Sequence, residues 1–174
     1  MNSAIAFLFI LMSVVIRLLP HPWNVSPVVG VALFSGAFLP RCWALPVALL
    51  AVAASDVALG WLPVHLFGWA AVALAVLIGG WLRGRRRVAG IAARSLLAST
   101  LFFLFSNFGV WFLGCVPGWY PQTPAGLAAC YMAGVPFFRN GLAGDLAYTL
   151  ALFGLAEAVA RFAGGRVPVP VSND

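Results

Sequence analysis

The 174-residue chain contains no lysine, four acidic residues, two histidines and three cysteines. Charged residues make up 8% of it, against about 25% in an average soluble domain. Each scarcity closes off a class. So little charge beside 63% hydrophobic residues excludes a soluble globule, a disordered segment and a coiled coil. Cys42, Cys115 and Cys130 have no C-x-x-C spacing, so no disulfide framework is expected. They read as small apolar residues, with a Cys115–Cys130 bridge left open. Two histidines and three scattered cysteines make no metal-ligand cluster. Walker, Rossmann, zinc-protease and G-x-S-x-G motifs are also missing. The expectation is no metal, no resident cofactor, no catalytic residue and no nucleic-acid partner. All ten basic residues are arginine, and they flank apolar runs, where topology signals sit.

What the chain does have is long apolar runs, several near the ~20 residues that cross a hydrocarbon core. They are continuous rather than alternating, which excludes a transmembrane β-barrel. The fold class is all-α: a polytopic membrane helix bundle of about six spans plus a short re-entrant or interfacial helix. Span one runs from Ser3 to Leu19 and stops at Pro20. No basic residue precedes it and no small-residue cleavage site follows, so it reads as a retained span and not a signal peptide. Ser26 is the expected N-cap of span two, with Pro27 its first residue. Span two ends near Leu39, and Pro40-Arg41-Cys42 reads as a tight turn. Span three covers Ala44 to Gly60, span four Val64 to Leu82, and span five Ser95 to Gly114. Gly126 to Phe138 is interrupted by Pro136 and reads as the re-entrant or interfacial helix. Span six covers Gly141 to Phe162. One domain over 1–166 and a flexible tail over 167–174 are expected. Residues 27–60 could instead form a re-entrant hairpin, because span two offers only ~20 Å of helix.

Arginine placement sets the orientation. With the N-terminus inside, eight of ten arginines face the cytoplasm: Arg41, Arg83, Arg85, Arg86, Arg87, Arg94, Arg161 and Arg166. Arg17 and Arg139 face outward. The positive-inside rule gives a multi-pass inner-membrane protein with both termini cytoplasmic.

Polar groups inside a span are functional candidates by default. In this orientation they gather in the outer half. Arg17, Asp56, Asn107, Trp111 and Asp145 come from the spans, Asn140 sits just before span six, and His21, Asn24, Tyr120 and Thr123 come from the outer loops. Together these ten form the expected substrate-binding set, with Ser55, His65 and Ser106 at similar depth. The plainer readings stand beside it. Arg17–Asp56 and Arg139–Asp145 can be structural ion pairs, and Trp and Tyr at helix ends can be interface anchors. Glu157 and Arg161 form an ordinary i,i+4 pair. Ala32-x-x-x-Gly36 and Gly79-Gly80 are small-residue motifs for close helix contact.

Several stretches carry a family likeness: Arg17-Leu-Leu-Pro-His-Pro-Trp-Asn-Val-Ser-Pro27, Ala32-Leu-Phe-Ser-Gly-Ala37, Ser55-Asp56-x-x-Leu-Gly60, Ser106-Asn-Phe-Gly-Val-Trp111 and Gly144-Asp-Leu-x-Tyr148. With Tyr120-Pro-x-Thr123, Gly126-Leu127, Cys130-Tyr131 and Pro136-Phe-Phe138, they extend over nearly the whole chain. The chain resembles an uncharacterised family of bacterial membrane proteins described as transport proteins. Its six-span layout is similar to the substrate-binding S components of energy-coupling-factor vitamin transporters. That likeness implies a ligand bound near the outer face, between helix ends and loops. It also implies a transmembrane and ATPase partner module. Span one holds Ala4 and Ala6 but lacks the Ala-x-x-x-Ala surface such partners use.

The expected function is uptake of a small vitamin- or cofactor-like molecule, as transporter or substrate-binding subunit, among membrane lipid. Arg17 would neutralise an anionic group of the ligand. The alternatives are an intramembrane enzyme using Asp56 and Asp145 as acid and base, and a structural assembly factor.

Overall fold

The computed structural model describes residues 3–20, 24–84, 86–114 and 118–162. His21, Cys115 and the expected flexible tail over 167–174 lie outside the described residues. Within them are six helices and no strand: α1 (Ser3–Leu18), α2 (Val28–Phe38), α3 (Arg41–Leu59), α4 (His65–Gly80), α5 (Val88–Phe112) and α6 (Pro124–Phe162).

The ends follow local chemistry. α1 stops ahead of Pro20, and Leu39 is extended ahead of Pro40 (φ −87°, ψ 153°). In both cases the proline ring disfavours helical backbone in the residue before it. Pro27 caps α2 rather than opening it. Its carbonyl accepts the Val31 N–H at 2.8 Å, and the Ser26 hydroxyl accepts the Val28 N–H at 3.4 Å. The expected turn at Pro40-Arg41-Cys42 is absorbed into α3. The Pro40 carbonyl accepts the N–H groups of Trp43 and Ala44 at 2.9 Å each, so Arg41 and Cys42 form the first helical turn. Gly60 ends α3 at φ 114°, a backbone that favours glycine. α5 opens at Val88, well before Ser95, because Arg94 is a good helix former that folds its own Nη1 back to the Gly90 carbonyl at 3.1 Å.

α2 is the centre of the molecule. It packs against all five other helices, and every residue from Val28 to Ala37 is buried. Around it α1, α3, α4, α5 and α6 follow one another in chain order as neighbours. Its 11 residues span only about 16 Å. Phe34 anchors this core against Phe9, Phe38 and Phe153, with ring centroids 5.9, 4.5 and 5.6 Å away. The small-residue motifs work as packing surfaces. A Cβ at Gly36 would overlap the Val76 carbonyl, and one at Gly79 the Leu33 carbonyl. Glycine there lets the α2 and α4 backbones touch.

The outer surfaces are apolar: Leu11, Leu50, Leu77, Leu97, Met132 and Leu155 are all exposed. Three helices, α3, α5 and α6, are long and apolar enough to cross a membrane.

One expectation is corrected. The segment from Gly126 to Phe138 is not a separate re-entrant or interfacial helix. It is the first third of α6, which runs unbroken for 39 residues through Pro136. Proline removes one backbone bond and bends a helix, and neighbouring helices make that tolerable in an apolar bundle. Here the neighbour is α5, antiparallel to α6 along its length. The Ser95 and Thr149 hydroxyls lie 3.2 Å apart, the Phe103 and Phe138 rings 4.6 Å apart, and Trp111 Nε1 donates to the Pro121 carbonyl at 3.0 Å. Arg139 and Asn140 are therefore mid-helix and exposed.

Candidate functional site

Two cavities lie at opposite ends of the bundle. The one holding most of the polar groups has a volume of about 580 Å³. Arg17 at the end of α1, Asn24 and Ser26 before α2, and Val64, His65 and Gly68 at the start of α4 form one side. The second half of α5 and the middle of α6 form the other. Of the expected site residues, Arg17, Asn24, Asn107 and Asp145 come together here, with His65 and Ser106.

Asp145 is the unusual group. It is 9% exposed, lines the cavity, and makes no ion pair among the described residues. The Ser99 hydroxyl, also buried, lies beside it and is the one polar side chain acting on its carboxyl among the described residues. A carboxylate held this way is costly unless something supplies donors or positive charge.

Arg17 does not supply it. Arg17 Nη2 donates to Asp56 Oδ1 at 2.6 Å, and Nη1 donates to the Ser55 hydroxyl and to the Val52 carbonyl, the latter at 3.2 Å. Trp69 Nε1 donates to the second Asp56 oxygen at 2.7 Å. Asp56 is thereby matched on both oxygens and does not line the cavity. The structural ion-pair reading holds for Arg17–Asp56. It does not hold for Arg139–Asp145, since Arg139 is exposed and makes no ion pair among the described residues. Six residues along a helix also turn these two side chains to different faces.

The remaining polar groups are placed by their elements. Asn24 sits at φ 59°, a left-handed conformation asparagine tolerates. His65 Nδ1 accepts the Leu62 N–H at 3.3 Å, which leaves Nε2 to carry the proton of the neutral ring. Asn107 Nδ2 donates to the Phe103 carbonyl at 2.9 Å, so its oxygen is the acceptor turned toward Gly134.

Four expected site residues do other work. Thr123 caps α6: its hydroxyl accepts the Gly126 N–H at 3.1 Å and its carbonyl the Leu127 N–H at 3.0 Å. Trp111 fastens the loop before α6, through Pro121 and through Gln122, whose side chain donates to the Trp111 carbonyl. Tyr120 packs edge-on against Trp119, and Asn140 is exposed. None of the four lines the cavity.

The sequence reading missed Ser99 and the aromatic wall of Phe102, Phe103, Phe137 and Phe138. A usable signal existed. Ser99, Phe102, Phe103, Ser106, Asn107 and Val110 recur at three- and four-residue steps, as do Gly134, Phe137, Phe138, Gly141 and Asp145. Each set is one helix face.

No curated protein and no solved structure matches the chain. One family model does match, described as a family of unknown function (DUF6580), over residues 1–167. The chain therefore belongs to the DUF6580 family of unknown function.

Proposed function

We propose that the protein is a six-span inner-membrane protein that takes up a small vitamin- or cofactor-like molecule, as a transporter or its substrate-binding subunit. Both termini face the cytoplasm, and the cavity beneath Asn24 and His65 opens outward. Six helices of alternating direction fit this, as does the run of arginines between α4 and α5. The resemblance to transport proteins rests on the sequence motifs, and that to S components on the six-span layout.

The observation that carries the reading is Asp145, buried in a cavity of about 580 Å³ without an ion-pair partner among the described residues. That volume lies within the usual range for small-molecule sites. A phenylalanine wall beside one carboxylate suits a ligand with a flat apolar body and a donor or cationic group. Arg17, first expected to neutralise an anionic group of the ligand, is paired with Asp56 instead. The chain needs no catalytic group for this task. Asp56 is committed to Arg17 and Trp69, which argues against an Asp56–Asp145 acid–base pair. Without a nucleotide motif, ATP-driven uptake would need a partner module.

The test is mass spectrometry of compounds released from the protein after purification in mild detergent. Gly68→Phe fills the cavity at a position where an added Cβ meets only the Phe102 ring, 3.6 Å away. The reading expects a stoichiometric compound in the wild type and its loss in the variant. A protein that releases nothing, or that releases the compound equally from both forms, contradicts it.

A further inference from the structure

The second cavity, about 520 Å³, lies at the other end of the bundle, where α2, the α4–α5 link, the start of α5 and the last turns of α6 meet. Its walls divide by chemistry. Phe38, Ile91, Leu150 and Phe153 form an apolar side, and Arg83, Arg86 and Arg161 stand against a single acid, Glu157. The cavity thus carries an excess of positive charge beside a greasy slot.

The arginines are only partly used. Arg83 Nη2 donates to the Leu39 carbonyl at 2.7 Å. Arg86 Nη2 donates to the carbonyls of Ala37 and Arg83 at 3.5 and 3.3 Å. These bonds cap the C-terminal end of α2, where positive charge is favourable. That explains why guanidinium groups stand here, and it occupies one nitrogen of each. Arg86 Nε is buried and has no partner among the described residues, while the group lies 4.1 Å over the Phe38 ring. Arg161 meets Glu157 at 3.3 Å in an exposed i,i+4 pair, a contact of little strength. Burial, and then the nearby Arg41 charge, hold Arg83 below its ordinary pKa. Burial does the same to Arg86; Glu157 opposes that effect and Arg83 adds to it. The groups stay charged, and an anion between them would relieve the crowding.

We propose that this cavity holds the phosphate of an anionic phospholipid, with Arg83, Arg86 and Arg161 around the headgroup and an acyl chain along Phe38, Ile91, Leu150 and Phe153. The site is distinct from the ligand cavity and rests on the membrane-spanning reading of the helices. Lipid is chosen over a soluble phosphate compound because the apolar slot continues directly from the basic rim. Basic pockets at the cytoplasmic ends of helices recognise such headgroups.

The test is native mass spectrometry of the full-length protein released from detergent, with phosphatidylglycerol or phosphatidylcholine added at equal concentration. The wild type should retain phosphatidylglycerol preferentially. The double variant Arg83→Gln/Arg86→Gln should lower that retention by about tenfold or more. Gly154→Phe should lower it as well, since Gly154 lines the cavity with open space before it, and its charges are intact. Arg87→Gln, an exposed position outside the cavity, should leave it unchanged. Retention unchanged in both the double variant and Gly154→Phe overturns the proposal. So does equal loss in Arg87→Gln, which would signify diffuse charge. Displacement of the lipid by its deacylated headgroup at equal concentration would assign the site to a soluble phosphate instead.

Discussion

Arg17 and Asp56 form an ion pair with Nη2 and Oδ1 2.6 Å apart, joining the end of α1 to α3, with side chains 17% and 5% exposed. Removing one partner strands the other charge. Asp56→Ala should lower stability by about 3 kcal/mol, the low end for a buried pair because Arg17 keeps some solvent. The double variant Arg17→Ala/Asp56→Ala should lose less than the two single variants summed. Unfolding in detergent measures the cycle. Strict additivity would mean the two groups are not coupled.

The α2–α4 contact makes a sharper contrast, because two adjacent glycines differ completely. A Cβ at Gly79 runs into the Leu33 backbone, while at Gly80 it meets nothing within 4 Å. Gly79→Ala should destabilise by about 1–3 kcal/mol through overpacking. Gly80→Ala should be neutral or stabilising by up to about 1 kcal/mol, from helix propensity. Melting temperatures of the two variants in one detergent decide this; equal effects would remove the close contact from the account.

Thr123 is assigned to the start of α6. Thr123→Ala should lower stability by about 1 kcal/mol through the lost cap and leave ligand retention intact. Retention lost at unchanged stability would return Thr123 to the binding site.

Topology is open to thiol labelling. Cys42 is exposed in the first turn of α3 and Cys130 is buried. In a Cys115→Ser/Cys130→Ser background, an impermeant maleimide should label Cys42 only from the cytoplasmic side. A cysteine placed at Thr123, at the other end of the bundle, should label only from outside. The opposite pattern would invert the orientation. Labelling of both from one side would break the count of crossings between α3 and α6.

Much of this architecture can be read from the sequence because hydrophobic runs and prolines speak locally. Pro20, Pro27, Pro40 and Pro63 mark four helix boundaries to within a few residues. Pro136 misleads for a physical reason: its lost hydrogen bond is tolerated by packing against α5, which a local rule does not see. Position along the apolar runs groups Arg17, Asn24, His65, Asn107 and Asp145 in the sequence, and these five line one cavity. Which of them face a cavity and which face each other depends on helix rotation. Asp56 and Asp145 look alike in the sequence. Only tertiary packing sets Arg17 and Trp69 against the first and leaves the second facing open volume.

That difference between the two aspartates is the claim to test most directly, by ligand retention and thermal stability of Asp56→Asn beside Asp145→Asn. The account predicts that Asp145→Asn loses about tenfold or more of its bound compound, a charge-assisted contact, while its melting temperature holds or rises. Asp56→Asn should instead melt lower and keep the compound in its folded fraction. Retention lost in Asp56→Asn and kept in Asp145→Asn would contradict the assignment of the site.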